Sequence, residues 1–162
     1  MSEASLFRKA WGKFPTGVSV ITTIEPNGDV HGMTANGINS VSLNPLLILA
    51  CVGHSANTHQ LIRKSERFAI NILSETQESI GRYYALPVED RTVVPEAGFN
   101  FTATGSAFLK GSLATMDCHV VNHHEAGDHT IFIGEVDQIE VHEGKPLVFF
   151  EGNWRGLTTE LA

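Results

Sequence analysis

Basic side chains are scarce in this chain of 162 residues: eleven Lys and Arg stand against eighteen Asp and Glu, a formal net charge of -7. A surface of that sign repels phosphate backbones, and no run of Lys or Arg offsets it, which argues against general nucleic-acid binding. Long apolar stretches are absent too. Without a stretch of about 18 apolar residues no membrane-spanning helix is predicted. The opening MSEASLFRKAWGKF carries charges where a signal peptide needs its apolar region, so the expectation is a cytoplasmic protein. There are only two cysteines, Cys51 and Cys118, far apart inside apolar segments. They read as reduced thiols acting as small buried hydrophobes, not as a disulfide framework. Charged residues make up 18% against 42% hydrophobic, a balance that excludes intrinsic disorder. With no internal repeat and no second domain, a single domain over 1–162 is expected, and a chain of that length buries roughly 70% of its unfolded surface.

What is present is mostly strand. Leu6, Phe7, Ala10, Trp11 and Phe14 follow helical spacing, with Ser2 or Ser5 as cap and Pro15 as terminator. From Gly17 the period changes to two: Val18, Val20 and Ile24 share a face, and Asn27-Gly28 reads as a hairpin turn. LLILACV at 46–52 is a continuous apolar run, short enough for a strand buried on both faces. Phe68, Ile70 and Ile72 alternate in another. Two short helices are expected, one after Ser55 carrying Leu61 and Ile62, the other after Ser74, whose spacing to Gln77 is that of a capping box. Residues 86–98 read as loop. Strands follow at 116–122, 129–141 and 146–151, with a change of apolar parity between Val136 and Ile139 that predicts a bulge. Turns rather than helical crossovers join most strands, so an antiparallel barrel is the more economical architecture.

Three segments could carry chemistry. In GMTANGINSVSL at 32–43, Gly32, Ala35 and Gly37 let a ligand approach the backbone, while Thr34, Asn36, Asn39, Ser40 and Ser42 offer neutral donors and acceptors suited to a flat polar heterocycle. A purely local polar turn is the alternative. GHSANT at 53–58 follows a strand and opens a helix. Free N–H groups, the helix dipole and the hydroxyls of Ser55 and Thr58 suit a phosphate, although capping by Ser55 or Asn57 would also account for them. The stretch CHVVNHHEAGDH brings Cys118, His119, His123, His124, Asp128 and His129 together in sequence. A metal site needs three or four convergent ligands, and the strand pattern around Cys118 separates His119 from His123, so metal is the minor reading. Asp128-His129 reads as a carboxylate-oriented imidazole or as a turn with a surface histidine.

Taken in order, FPTGVSVIT at 14–22, GMTANGINSVSLNP at 32–45, LACVGHSANTH at 49–59, FAINIL at 68–73 and GDHTIFIGEV at 127–136 resemble the short-chain flavin reductases over almost the whole chain. That resemblance implies a mainly β fold with a few helices, an antiparallel split β-barrel of the FMN-binding type, usually homodimeric. It also implies an enzyme that reduces FMN or FAD with NADH or NADPH and releases reduced flavin to a separate monooxygenase. A non-catalytic flavin-binding or flavin-sensing barrel is the competing class.

By position in the resembling motifs, Thr34, Ala35, Asn36 and Gly37, with Ser40 and Val41, would meet the isoalloxazine and ribityl chain. Gly53, His54, Ser55, Asn57 and Thr58 would surround the phosphate end. Gly127, Asp128 and His129 match the family's GDH motif, with His129 the residue expected to touch the nicotinamide, and Trp154 in FFEGNWRGL would border the same pocket. No metal is implied. Three positions depart from the pattern: Gly37 replaces a frequent serine, Asn44-Pro45-Leu46 lacks a double proline, and Gly53-His54 lacks the basic residue often found before the phosphate-binding serine. FMN versus FAD stays open.

Overall fold

Ser2 caps the first helix, α1 (Glu3–Trp11), by accepting from the Ser5 amide, and the chain then enters the sheets through β1 (Thr16–Gly17). The computed structural model describes residues 2–93 and 95–158; Met1, Val94 and 159–162 of the expected single domain lie outside the described residues, and with them one position of the 86–98 loop. β2 (Ser19–Ile24) and β3 (Val30–Ala35) form the hairpin expected at Asn27-Gly28, with Gly28 at φ 91°. β4 (Ile38–Leu43) and β5 (Leu46–Gly53) pair next, followed by α2 (Asn57–Ser65) and β6 (Arg67–Ile72). The Ser74/Gln77 capping box is present and starts the turn that leads into α3 (Glu78–Ala85). A small hairpin of β7 (Phe99–Phe101) and β8 (Ala107–Leu109), not foreseen from sequence, precedes the long β9 (Ala114–Ala126) and β10 (His129–Val141). β11 (Leu147–Phe150) and β12 (Asn153–Gly156) join β1 in a separate three-stranded sheet.

The main sheet has seven antiparallel strands in the order β3-β2-β6-β9-β10-β5-β4. Its two edge strands, β3 and β4, are joined by Asn36 and Gly37 alone. Such a link spans at most about 11 Å, whereas six strand spacings in a flat sheet would separate the edges by roughly 29 Å. The sheet must therefore curl until its edges approach, which makes it an antiparallel split barrel. The register slips between Val136 and Gln138, so the parity change seen in sequence is a bulge at Asp137.

The interior is filled from β2, β5, β6, β9 and β10 by Ile21, Ile48, Ala50, Val52, Phe68, Ile70, Cys118 and Phe132, with Ile62 of α2 closing one end. A second cluster around Val18, Val20, Leu73, Ile80, Tyr84 and Leu147 seats α3. Burial pushes the Cys118 thiol up to about 12, so it is a hydrophobe and not a nucleophile. One expectation is corrected. β5 is not buried on both faces: Ile48, Ala50 and Val52 point into the core, while Leu47, Leu49 and Cys51 are half-buried, because an antiparallel strand next to the edge strand β4 has only one covered face.

Candidate active site

Two grooves flank the Asn36-Gly37 link. The first, of about 420 Å³, lies between β3, the start of α2 and the end of α3, and is lined by Met33, Thr34, Ser55, Asn57, Thr58, Tyr84 and Arg91 among others. The second, of about 620 Å³ and more apolar, is lined by Trp11, Phe14, Asn36, Gly37, Ile38, Asn39, Leu49 and Cys51 among others. Segment 34–37 thus contributes to both, Thr34 to one and Asn36 with Gly37 to the other. Thr34 Oγ1 donates to the Gly81 carbonyl at 2.6 Å, and Asn36 Nδ2 donates to Thr16 Oγ1 at 3.2 Å. The Ala35 carbonyl accepts from Ser19 Oγ at 2.7 Å. Ser40 pairs with Ile48, and the register slips between Ser40 and Ser42, so Val41 bulges from the β4 edge.

The first groove offers donors that an anion could use, beside the carboxylate of Glu89. At the N-terminus of α2 the first amides have no partner within the helix, and the dipole adds positive potential there. The sequence left Ser55 or Asn57 as its cap. The cap residue is Ala56 and no side chain caps the helix, because Ala56 is the residue whose extended backbone enters the first turn. Ser55 and Asn57 line the groove instead. Opposite them stands Arg91, which donates to the carbonyls of Leu86 and Tyr84 and lies 5.3 Å over the Tyr84 ring. Sequence reasoning missed this arginine. It sits in a loop without periodicity, directly after Glu89 and Asp90, and only the packing of that loop beneath α3 turns it inward.

Strand pairing joins the start of α2 to the GDH motif. β5 and β10 place Gly53 opposite His129, and the His54 amide donates to the Asp128 carbonyl at 3.0 Å. Gly127, at φ 66°, makes the tight β9–β10 turn that only a residue without Cβ adopts freely. Asp128 Oδ1 accepts from His129 Nδ1 at 2.7 Å, and that bond holds the Asp128 carboxyl below its ordinary value. An ionised carboxylate only accepts, so in neutral His129 the proton is on Nδ1 and Nε2 is an acceptor. Nε2 lies on the Gly53 side, 3.6 Å from where a Cβ on that glycine would stand.

A carboxylate links the same two motifs a second time. Glu125 Oε2 lies 2.9 Å from His54 Nε2, and both Glu125 oxygens accept from Thr130 Oγ1, which in turn lies 2.8 Å from His59 Nε2 on α2. Burial, then the nearby His54 and Arg63, lower the His59 value; since Thr130 gives its only hydroxyl proton to Glu125, His59 Nε2 is the donor to Thr130. His119 of the histidine stretch bonds instead to Asp137, and among the described residues no three His, Cys, Asp or Glu side chains converge as metal ligands. Trp154 packs against Phe149 and under Arg82, close enough to Gly81 that a Cβ there would touch its ring at 2.8 Å; it lines neither groove.

Residues 11–158 match the flavin reductase like domain family. The chain belongs to the flavin reductase family. It is an oxidoreductase of that kind. It is 38% identical over 152 residues to the NADH-dependent flavin reductase of a Rhodococcus species, covering 93% of this chain and 84% of that one. Its fold superposes on the flavin reductase PheA2 with a TM-score of 0.89 at 45% identity, over 98% of this chain and all (100%) of the other. The NADH:FAD oxidoreductase SgcE6 of Streptomyces globisporus, solved with NAD and FAD fragments, gives a TM-score of 0.89 at 32% identity, over 99% of this chain and 96% of that one.

Proposed function

We propose that the chain reduces FMN or FAD with NADH or NADPH and supplies the reduced flavin to a separate monooxygenase. The observation that carries this reading is the β5–β10 pairing, which sets the anion-binding start of α2 beside His129. The donor set fits a flavin phosphate: α2 amides, the Ser55 hydroxyl and the Arg91 guanidinium converge on one groove. Bound flavin supplies the hydride acceptor at N5, and the nicotinamide supplies the hydride from C4. The residues bind and orient. Asn36, Gly37, Ser40 and Val41 flank the ring system, Thr34 and Ala35 border it from β3, with the Thr34 hydroxyl held by Gly81 and the Ala35 carbonyl by Ser19, and Asn57 and Thr58 complete the phosphate end with His54. The Nε2 acceptor of His129, fixed by Asp128, suits the carboxamide N–H of a nicotinamide. Gly127 holds the turn that aims it, and Trp154 supports α3 from behind.

The functional unit under this reading is a single-domain homodimer acting in the cytoplasm. Leu6, Phe7, Trp11 and Phe14 of the α1 segment are all exposed, as are Val41, Leu43 and Leu46 at the β4–β5 edge. A second copy would cover this apolar surface and the open strand edge together. Sedimentation at micromolar concentration tests it, with a monomeric mass counting against it.

Anaerobic turnover, crossing FMN and FAD with NADH and NADPH, tests the reaction. The oxidised flavin band should bleach with at least one pair. Flavin binding without nicotinamide oxidation would select the non-catalytic alternative.

A further inference from the structure

His31 lies on β3 at the wall of the first groove, and the proposed reaction does not use it. Its ring is 5% exposed, yet both nitrogens are engaged: Nδ1 is 3.1 Å from Glu25 Oε1, and Nε2 is 3.0 Å from Thr58 Oγ1. Ionised Glu25 only accepts, so the proton of the neutral ring sits on Nδ1. Nε2 is then an acceptor and the Thr58 hydroxyl donates to it. That commits the hydroxyl proton to His31, and Thr58, 1% exposed in the groove wall, has only lone pairs left to offer, which disfavour an anion.

A proton added to the ring inverts this bond. Nε2–H donates to Thr58 Oγ1, and the released hydroxyl proton turns to an acceptor in the groove. We infer that a phosphate ester bound in this groove draws a proton from solvent onto His31, which converts the Thr58 hydroxyl into a donor toward the phosphate. This rests on reading the groove as the phosphate end of the flavin site.

The surrounding charges favour the same coupling. Glu25 from the turn after β2 faces Nδ1, Thr58 from α2 faces Nε2, and Tyr84 from α3 with Glu89 and Arg91 from the following loop line the same groove. Burial keeps the ring below its ordinary value; the Glu25 hydrogen bond pulls it up, and the smaller effect of the Arg91 charge pushes it down again. A bound phosphate offsets the Arg91 charge and supplies the acceptor that Thr58 needs. By linkage, protonation of His31 tightens phosphate binding by the same factor that phosphate raises proton affinity.

Histidine-ring nitrogen NMR on the full chain, titrated from about pH 5 to about pH 9 and assigned with His31→Gln, reads this directly. FMN should raise the His31 midpoint by about one unit or more, roughly tenfold in proton affinity. Riboflavin, which lacks the phosphate, should leave it in place. Thr58→Val should cut the FMN-dependent rise to the part owed to the Arg91 charge, and Thr58→Ser should restore it. An equal rise with riboflavin, no rise with FMN, or a full rise in Thr58→Val overturns the inference. Arg91→Gln separates the two readings: if it weakens FMN binding while the wild-type His31 ignores FMN, the groove assignment stands and the His31 inference falls. If Arg91→Gln and Ser55→Ala bind FMN like the wild type and His31 is silent, both fall.

Discussion

His129 and Gly53 stand opposite one another on β10 and β5, so the imidazole faces a residue with no side chain to block it. Replacing His129 with Ala removes the oriented Nε2 acceptor without touching the first groove. The expected result is a higher KM for the nicotinamide or slower hydride transfer, with flavin affinity within a few-fold of wild type. Stopped-flow reduction alongside flavin titration separates the two effects. If both steady-state constants stay unchanged in folded protein, His129 is only a turn residue.

The phosphate end has a different signature. Ser55→Ala and Arg91→Gln each remove a donor to a charged group, worth about 1.5 to 3 kcal/mol, or roughly 10- to 150-fold in affinity. FMN should lose that factor and riboflavin should not. Fluorescence titration with the two ligands checks it, and equal losses would place the phosphate elsewhere.

Gly32 supplies the room in which Tyr84 lies. A Cβ at this position would stand 2.6 Å from the buried Tyr84 ring, so Gly32→Ala must push α3 or the ring outward. Overpacking of this kind costs about 1 to 3 kcal/mol, a fall in Tm of roughly 2 to 12 °C for a domain of this size. Because Tyr84 carries Arg91 on its face, FMN affinity should fall as well. Calorimetry with ligand titration tests both, and an unchanged Tm would mean that α3 shifts freely.

Asp117 is the most deeply buried carboxylate of the described residues and the anchor of the β7–β8 hairpin. It accepts from Arg67 at 2.9 Å, Ser106 at 2.6 Å and Thr102 at 3.1 Å, and from Thr104. Burial raises its value, but the Ser106, Thr104 and Arg67 bonds outweigh that, and the net direction is down from 3.8. A depressed carboxylate contributes stability that is complete above its unfolded value and lost as pH falls through its folded one. Wild type should therefore lose stability below about pH 4, and Asp117→Asn should lose less over that window while starting about 1.5 to 3 kcal/mol lower, since Arg67 loses one charged partner and keeps Asp137. Urea unfolding at several pH values decides it; parallel curves for the two proteins would contradict the assignment.

Local pattern alone determined a good part of this protein. The β2–β3 turn, the Ser74/Gln77 capping box, the bulge between Val136 and Ile139 and the strand character of 46–52 and 129–141 follow from spacing and turn chemistry, because each depends on residues within a few positions of one another. The order of the motifs sufficed to indicate the family. Tertiary structure decided what lies opposite what: that the two ends of a seven-stranded sheet meet at Asn36-Gly37, that β5 has a covered and an open face, that Arg91 turns into the groove, and that His31 reaches Thr58, 27 positions further along the chain. None of these contacts has a period or a local signal. They exist because antiparallel pairing and core burial compensate the entropy of closing long loops, and that sum is made over the whole chain rather than within any one segment of it.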